Sequence, residues 1–446
     1  MSVSESSSLW QAAPFAGLLL SIALGPLLLS HFWHANYGKV AIGWSLLAIW
    51  FLVEHVGGAA AFREILTTLI DEYVPFILLM FALFTAAGGL LIRFGVAGSV
   101  WSNAGLLALG AGLASLIGTT GASMILIRPL IVANQHRPHN AHVVIFFIFL
   151  VSNIGGLLLP MGDPPLFLGF LQGVDFFWTL LALWPHFLLS VAVLLLIFVA
   201  IDWYLFREPI AAGKIAVHGR FTLHGGFNIL LLLLVVVTLI VSGKWHPGVG
   251  IDVFGVSIPA EALLRDAVLA LIGFLSLAFT KQEIRRANGF DFEPLREVAE
   301  LFAAIFICII PVMALLHQGE QGPFGFLIQG LDGPDGKPLP GAYFWVTGLL
   351  SAFLDNAPTY LLFFQLAGGD PQILMGDHAS ILKAISFAAV SMGALTYIGN
   401  APNFMVYAIA RKAGIRMPSF LGYMLWSCGF LLPLFGAMTW LFFGKL

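Results

Sequence analysis

Continuous apolar runs, most of them about 18 residues or longer, leave few folds open to this chain, because that is the length at which a helix crosses a bilayer. They fall near residues 13–32, 40–58, 73–92, 141–173, 176–203, 226–243, 262–280, 299–317, 379–412 and 418–442. A membrane β-barrel would instead alternate apolar and polar residues over roughly ten positions. Of the 446 residues, 59% are hydrophobic and 10% charged, whereas a soluble domain carries about a quarter charged residues. The expected fold is an all-α polytopic membrane protein. The amino-terminal Met-Ser-Val-Ser-Glu-Ser-Ser-Ser lacks the basic region of a cleavable signal peptide, so the first run is expected to be a retained helix. Net charge is −3, with 20 Lys and Arg scattered among loops; nothing points to nucleic acid. Cys308 and Cys428 each sit in an apolar run and read as small core residues.

Two further apolar segments, about 98–133 and 342–366, are interrupted in the middle. The first breaks at Gly118-Thr119-Thr120-Gly121-Ala122-Ser123, the second at Asp355-Asn356-Ala357-Pro358. Neither break has the composition of a loop in water, so both read as re-entrant hairpins, tolerated at membrane depth only where buried or facing a wet cavity. Basic stretches around Arg207, Lys214 and Arg220, around Lys281, Arg285, Arg286 and Arg296, and at Arg411, Lys412 and Arg416 belong on the cytoplasmic side by the positive-inside rule. The Gly/Pro/Asp-rich loop from Gln318 to Pro340 belongs outside. With these anchors the first hairpin enters from the cytoplasm and the second from outside, and both termini lie outside.

The same 44-residue spacing separates Thr119 from Asp163 and Asn356 from Asn400. Gly162-Asp163-Pro164-Pro165-Leu166-Phe167 aligns with Gly399-Asn400-Ala401-Pro402-Asn403-Phe404 at an offset of 237 residues. The chain therefore reads as two inverted repeats, each with a re-entrant hairpin and a broken helix. The first spans 1–206 (broken helix 141–173), 207–224 is a cytoplasmic linker, and the second spans 225–446 (broken helix 379–412).

Asp163 and Asp355 are ionisable groups inside these interrupted segments, which makes them functional candidates by default. A broken helix exposes N–H groups that favour anions and carbonyls that coordinate cations. Gly162 with Pro164-Pro165 is expected to leave such carbonyls unpaired. Thr119, Thr120, Ser123, Ser152 and Asn153 add neutral oxygens suited to a hard cation; Ser351, Asn356, Thr396, Asn400 and Asn403 are their counterparts. Asp163, Asp355, Asn153 and Asn356 form the tentative Na⁺ set. Desolvation favours a neutral carboxyl and a bound cation favours a charged one, so one group could hold H⁺ or Na⁺ in turn. Either Asp could instead be a helix cap at a buried kink. Glu54 and Asp202 read as interfacial, Arg128 as snorkelling or anion-attracting, and His136, His139 and His142 as a solvated turn.

Ser152-Asn153-Ile154-Gly155-Gly156 with Gly162-Asp163-Pro164-Pro165, and Ser351-Ala352-Phe353-Leu354-Asp355-Asn356-Ala357-Pro358, resemble the ion-transporter superfamily. That group includes NhaD-type sodium/proton antiporters, arsenite-efflux membrane subunits, citrate–metal carriers and divalent-anion/sodium symporters. The motifs look most like the NhaD-type and citrate-transport-family antiporters. Gly399-Asn400-Ala401-Pro402-Asn403 resembles the later unwound stretch, where the family often has Gly-Ala-Ser-Ala-Asn. The dicarboxylate symporters carry Ser-Asn-Thr where this chain has Gly-Thr-Thr-Gly-Ala-Ser and Asp355-Asn356; the added carboxylate argues for a cation. The resemblance implies a secondary transporter with no cofactor beyond transported Na⁺ and H⁺. It also implies a homodimer in a bacterial-type inner membrane, working as an elevator. A cation-coupled citrate or organic-anion carrier and an arsenite-efflux subunit are the alternatives, and no motif of an enzyme is present.

Overall fold

A computed structural model describes residues 9–93, 98–206, 222–333 and 336–444. Among them, eight helices are long and apolar enough to cross a membrane, and shorter apolar helices cover Phe227–Ser242 and parts of the two broken segments. The fold is all-α and polytopic; the only sheets among the described residues are two small antiparallel ladders. Leu91–Arg93 pairs with Thr222–His224, and Gly250–Val253 with Val256–Pro259. Most of the expected linker, with Arg207, Lys214 and Arg220, lies outside the described residues.

The amino-terminal boundaries differ from the sequence expectation. The first helix ends at Leu28, and the second runs Ser30–Val56, ten residues earlier than its apolar run. Pro26 lies inside the first helix, and Leu29 adopts a non-helical conformation that breaks the chain there. The polar stretch from His31 to Gly38 stays helical because Trp33 is anchored in the core, 3% exposed. Gly58–Thr68, an Ala-rich segment with no long apolar run, is also helical. It continues through a π-helical turn at Leu69–Tyr73 into Val74–Gly88.

Helices pack in matching sets. Ala13–Leu28 and Ser30–Val56 lie against each other and against Glu293–Leu316. Phe227–Ser242 and Ala260–Phe279 lie against each other and against Val74–Gly88. Thus the third helix of each half packs on the first two helices of the other.

The first hairpin has arms Val100–Ile117 and Thr119–Asn134, started by a capping box between Ser99 and Ser102. Its tip is narrower than the six residues expected: Gly118 alone breaks the helix, at φ +80°, and Thr119 to Ser123 are already helical. The second hairpin has arms Pro340–Phe353 and Asn356–Leu366, with Leu354 and Asp355 extended at its tip. The broken segments run Ala141–Leu150 to Pro164–Leu171 and Ala379–Met392 to Ala401–Lys412. Each contains a 3-10 turn and then a nonhelical stretch ended by proline at the start of the next helix. Thr439–Phe443 continues the last span, Phe420–Met438, as a π-helix.

Candidate functional site

Asp163 sits where four elements meet. It is the N-cap residue of Pro164–Leu171 but makes no side-chain cap bond, so its carboxylate faces the interior, 1% exposed. Thr119 Oγ1, at the first hairpin tip, donates to Asp163 Oδ1 at 2.7 Å. Asn356 Nδ2, at the second hairpin tip, donates to Oδ2. Asn400 Nδ2, in the second broken segment, donates to both oxygens at 3.2 and 3.4 Å. The two 44-residue pairs thus converge on one carboxylate. Among the described residues no Lys or Arg bonds to it; its donors are neutral hydroxyl and amide groups.

The backbone around it is held by close approaches that only glycine permits. A Cβ on Gly162 would lie 2.3 Å from the Gly156 carbonyl oxygen, and one on Gly399 would lie 2.6 Å from that of Gly393. The first break is pinned by Ser115, whose hydroxyl donates to Gly155 O at 2.6 Å and accepts from Leu158 N–H at 3.1 Å. The Gly162 carbonyl, expected to be free for an ion, accepts from the Thr119 N–H at 2.8 Å. The hairpin tip itself satisfies the group that the prolines release.

Several other candidates lock the two breaks together. Asn153 Nδ2 donates to Ile148 O and to Asn403 Oδ1, at 2.8 and 2.7 Å. Asn403 Nδ2 in turn donates to Gly393 O and Thr396 O. Asn400 also reaches Ser152 O and Asn153 Oδ1. Ser123 and Ser152 hydroxyls pair at 2.9 Å. Ser351 and Thr396 hydroxyls donate to Ala389 O and Ala352 O, joining the second hairpin to the second break. Asn153 is therefore engaged in the crossing of the two breaks, whereas Asp163 and Asn356, of the tentative set, bond directly to each other.

Asp355 takes a different position. Its carboxylate caps the second arm, accepting from Ala357 N–H at 3.1 Å. It makes no hydrogen bond with Asp163. Half-buried, Asp355 lines a cavity of about 450 Å³ together with Thr120, Asn356 and Asn400. The opposite wall comes from helices Ala13–Leu28, Ser30–Val56 and Glu293–Leu316, and includes His34, Glu293 and Glu297. His34 and Glu293 are exposed, so the cavity reaches the surface at that end. Among the described residues, no Lys or Arg lines it. Sequence reasoning missed Glu293, Glu297 and His34, which stand on ordinary helix ends with no local motif.

Two sequence expectations are corrected outside the site. Asp202 is not interfacial; it is 0% exposed and pairs with Arg137 at 2.5 Å and with His142 Nε2 at 2.8 Å. His142 is likewise buried, not part of a solvated turn, while His136 and His139 are exposed. A carboxylate near a helix end needs a partner to be buried, and the turn supplies two. Arg128 is half-buried with an unpartnered Nε close to Gly289. Cys308 and Cys428 are free thiols, buried and half-buried.

Two helical hairpins meeting two unwound helices around a buried carboxylate, in an all-α polytopic membrane protein, fit the transporter class. The chain belongs to the family described as "Putative citrate transport", whose profile matches residues 4–443. No curated protein matches the chain.

Proposed function

We propose that the chain is a secondary transporter that exchanges Na⁺ for H⁺ at Asp163. The observation that carries it is the donor set: one buried carboxylate, surrounded by amide and hydroxyl groups, without a cationic side chain. Rotating the Asn356 and Asn400 amides by 180° replaces two N–H donors with two oxygens, converting a hydrogen-bonded anion into an oxygen cage for a hard cation. Protonation of Asp163 offers the competing neutral state. Among the described residues no three His, Cys, Asp or Glu side chains form a group that could hold a metal ion, so the oxygen set suits an alkali cation better than a transition metal.

The halves act as inverted repeats in this proposal, with Thr119 matching Asn356 and Asp163 matching Asn400. The reciprocal packing of scaffold helices supports that symmetry. The hairpins and broken helices form a moving unit that slides as an elevator against the scaffold, in a homodimer, in a bacterial-type inner membrane with both termini outside. The basic residues Arg285, Arg286 and Arg296, close in sequence to the cavity residue Glu293, support a cytoplasmic opening for the 450 Å³ cavity.

Thr119 and Ala357 are 2% and 0% exposed, but Thr120 and Asp355 both line this cavity. In this conformation the two hairpin tips therefore share one access route. A single cysteine at Thr120, in a background lacking Cys308 and Cys428, should react with a membrane-impermeant thiol reagent added from the cytoplasmic side. Reaction only from outside would reverse the proposed orientation.

Asp355→Asn keeps shape and the capping bond but removes a negative charge from the cavity wall. Exchange should fall by about tenfold, the size of a lost partly solvated charge interaction of about 1.4 kcal/mol, with normal insertion into the membrane. Wild-type exchange kinetics in that variant would remove Asp355 from the ion path.

A second reading, a cation-coupled citrate carrier, is favoured by the family itself and by a cavity far larger than a bare Na⁺ needs. Free citrate would meet Glu293, Glu297 and Asp355 with no Lys or Arg to receive it, so a co-bound cation or proton would have to offset its charge. Purified protein in liposomes with an internal pH dye separates the two. Na⁺ or Li⁺ pulses alone should move protons if exchange is the activity. Proton movement that requires citrate would put the second reading first.

A further inference from the structure

A second cavity, about 1030 Å³, lies away from the ion site, on the flank formed by the ends of Trp178–Leu205 and Phe420–Met438. Its polar end comes from two loops and one helix start. The loop after the first hairpin contributes Arg137 and His139, the first turn of Ala141–Leu150 contributes His142, and the loop after the second broken segment contributes Arg416. Its other end is apolar and aromatic, with Ile201, Trp426 and Phe430 on the flanks of the two spans. Among the described residues, the lining contains no Asp or Glu. Asp202, the acid closest in the chain, is fully buried behind Arg137 and His142. Arg416 is exposed and has no acidic partner among the described residues.

We propose that this groove binds an anionic phospholipid, with the phosphate on the basic loop end and the upper acyl chains along Trp426 and Phe430. Three features combine to favour a lipid over a soluble anion. The basic residues are on the side that the positive-inside rule assigns to the cytoplasm. A basic pocket between spans on that side meets the negatively charged leaflet. The groove also continues from charged to apolar along the helix axes, whereas a free phosphate would use only the loop end. The Arg137–Asp202–His142 cluster fixes the loop, so the polar end is preformed. The proposal is independent of which ion or anion is transported.

The test uses purified full-length protein in nanodiscs or detergent, probed by native mass spectrometry and thermal unfolding. Phosphatidylglycerol should be retained and should raise the midpoint temperature, while phosphatidylcholine should do neither. Arg416→Gln should weaken phosphatidylglycerol binding by about fivefold, the coupling of roughly 1 kcal/mol per basic residue near an anionic surface. Arg286→Gln, an exposed basic residue in another loop, should leave it unchanged. Because Arg416 is exposed, folding should survive; His139→Gln serves as a second variant. Equal binding of phosphatidylcholine, full stabilisation by inorganic phosphate alone, or unaltered binding in both groove variants would each overturn the proposal. So would loss of the groove to a second copy of the chain, read as a concentration-dependent mass shift without lipid.

Discussion

Asp163→Asn should reduce exchange by about two orders of magnitude or more, because removing the charged partner of a buried ion costs about 3–5 kcal/mol and each 1.4 kcal/mol is tenfold. The substitution keeps the volume of the side chain and can keep the bonds from Thr119 and Asn400, so assembly of the hairpin tips should survive. The pH response is the sharper readout. H⁺ and Na⁺ compete for one carboxylate, and coupling between competing ligands is reciprocal. Through the range where the ion-free site is protonated, each unit fall in pH should weaken apparent Na⁺ affinity about tenfold, as simple competition requires. Above that range the affinity should level off. In Asp163→Asn the residual affinity should ignore pH. Calorimetry across pH, with and without citrate, checks this. A wild-type Na⁺ affinity that ignores pH but tightens markedly with citrate would transfer the role of Asp163 to the citrate-coupled reading.

The site was more legible in the sequence than many surface features of the protein, for a physical reason. Polar residues between glycine and proline in an apolar run have few structural explanations, so Asp163 and Asp355 stand out in the sequence, with Asn356 next to one and Asn400 aligned with the other. The shared 44-residue spacing marks Thr119, Asp163, Asn356 and Asn400 as matching positions of a repeat, and the structure brings all four into hydrogen-bond contact around Asp163. The spacing could not show how the bonds are distributed. Asn153 and Asn403 look like ion ligands by type, yet their amides are spent on each other and on backbone carbonyls released by the breaks. Which polar groups face an ion and which repair the backbone depends on packing across some 250 residues of sequence.

Other features left no local signal. The helix from Ser30 crosses a polar stretch, and hydropathy alone cannot register a helix that begins beyond the apolar run. Glu293 and Glu297 read as the charged first turn of a span, a common arrangement near a helix N-terminus. Only the approach of the second hairpin tip makes them the wall of a cavity. His142 reads as part of a solvated turn and Asp202 as interfacial because each is near the end of an apolar run, and Arg137 carries no motif that would join it to them. Their mutual contacts, across 60 and 65 residues, are what allow burial.

Asp202→Ala should be the most destabilising single change outside the ion site. Asp202 Oδ1 accepts from Arg137 Nη2 and His142 Nε2, and Oδ2 accepts from Arg137 Nη1 at 3.2 Å and Asn103 Nδ2 at 3.4 Å. Asn134 completes the cluster, exchanging side-chain bonds with Asn103 and accepting from Arg137. These residues come from both arms of the first hairpin, the start of the first broken segment and the end of Trp178–Leu205. Removing the carboxylate leaves the Arg137 guanidinium buried without its counter-charge, which costs about 3–5 kcal/mol. The loss should appear as a lower unfolding midpoint in detergent and as earlier protease cleavage near Gln135. Asp202→Asn retains acceptors for part of the cluster and should be intermediate. The double variant Arg137→Met with Asp202→Leu should recover much of the loss, because replacing a buried ion pair by apolar groups is often neutral. An Asp202→Ala protein within about 1 kcal/mol of wild type, the level of an exposed ion pair, would show that the cluster is not a buried clamp on the hairpin base.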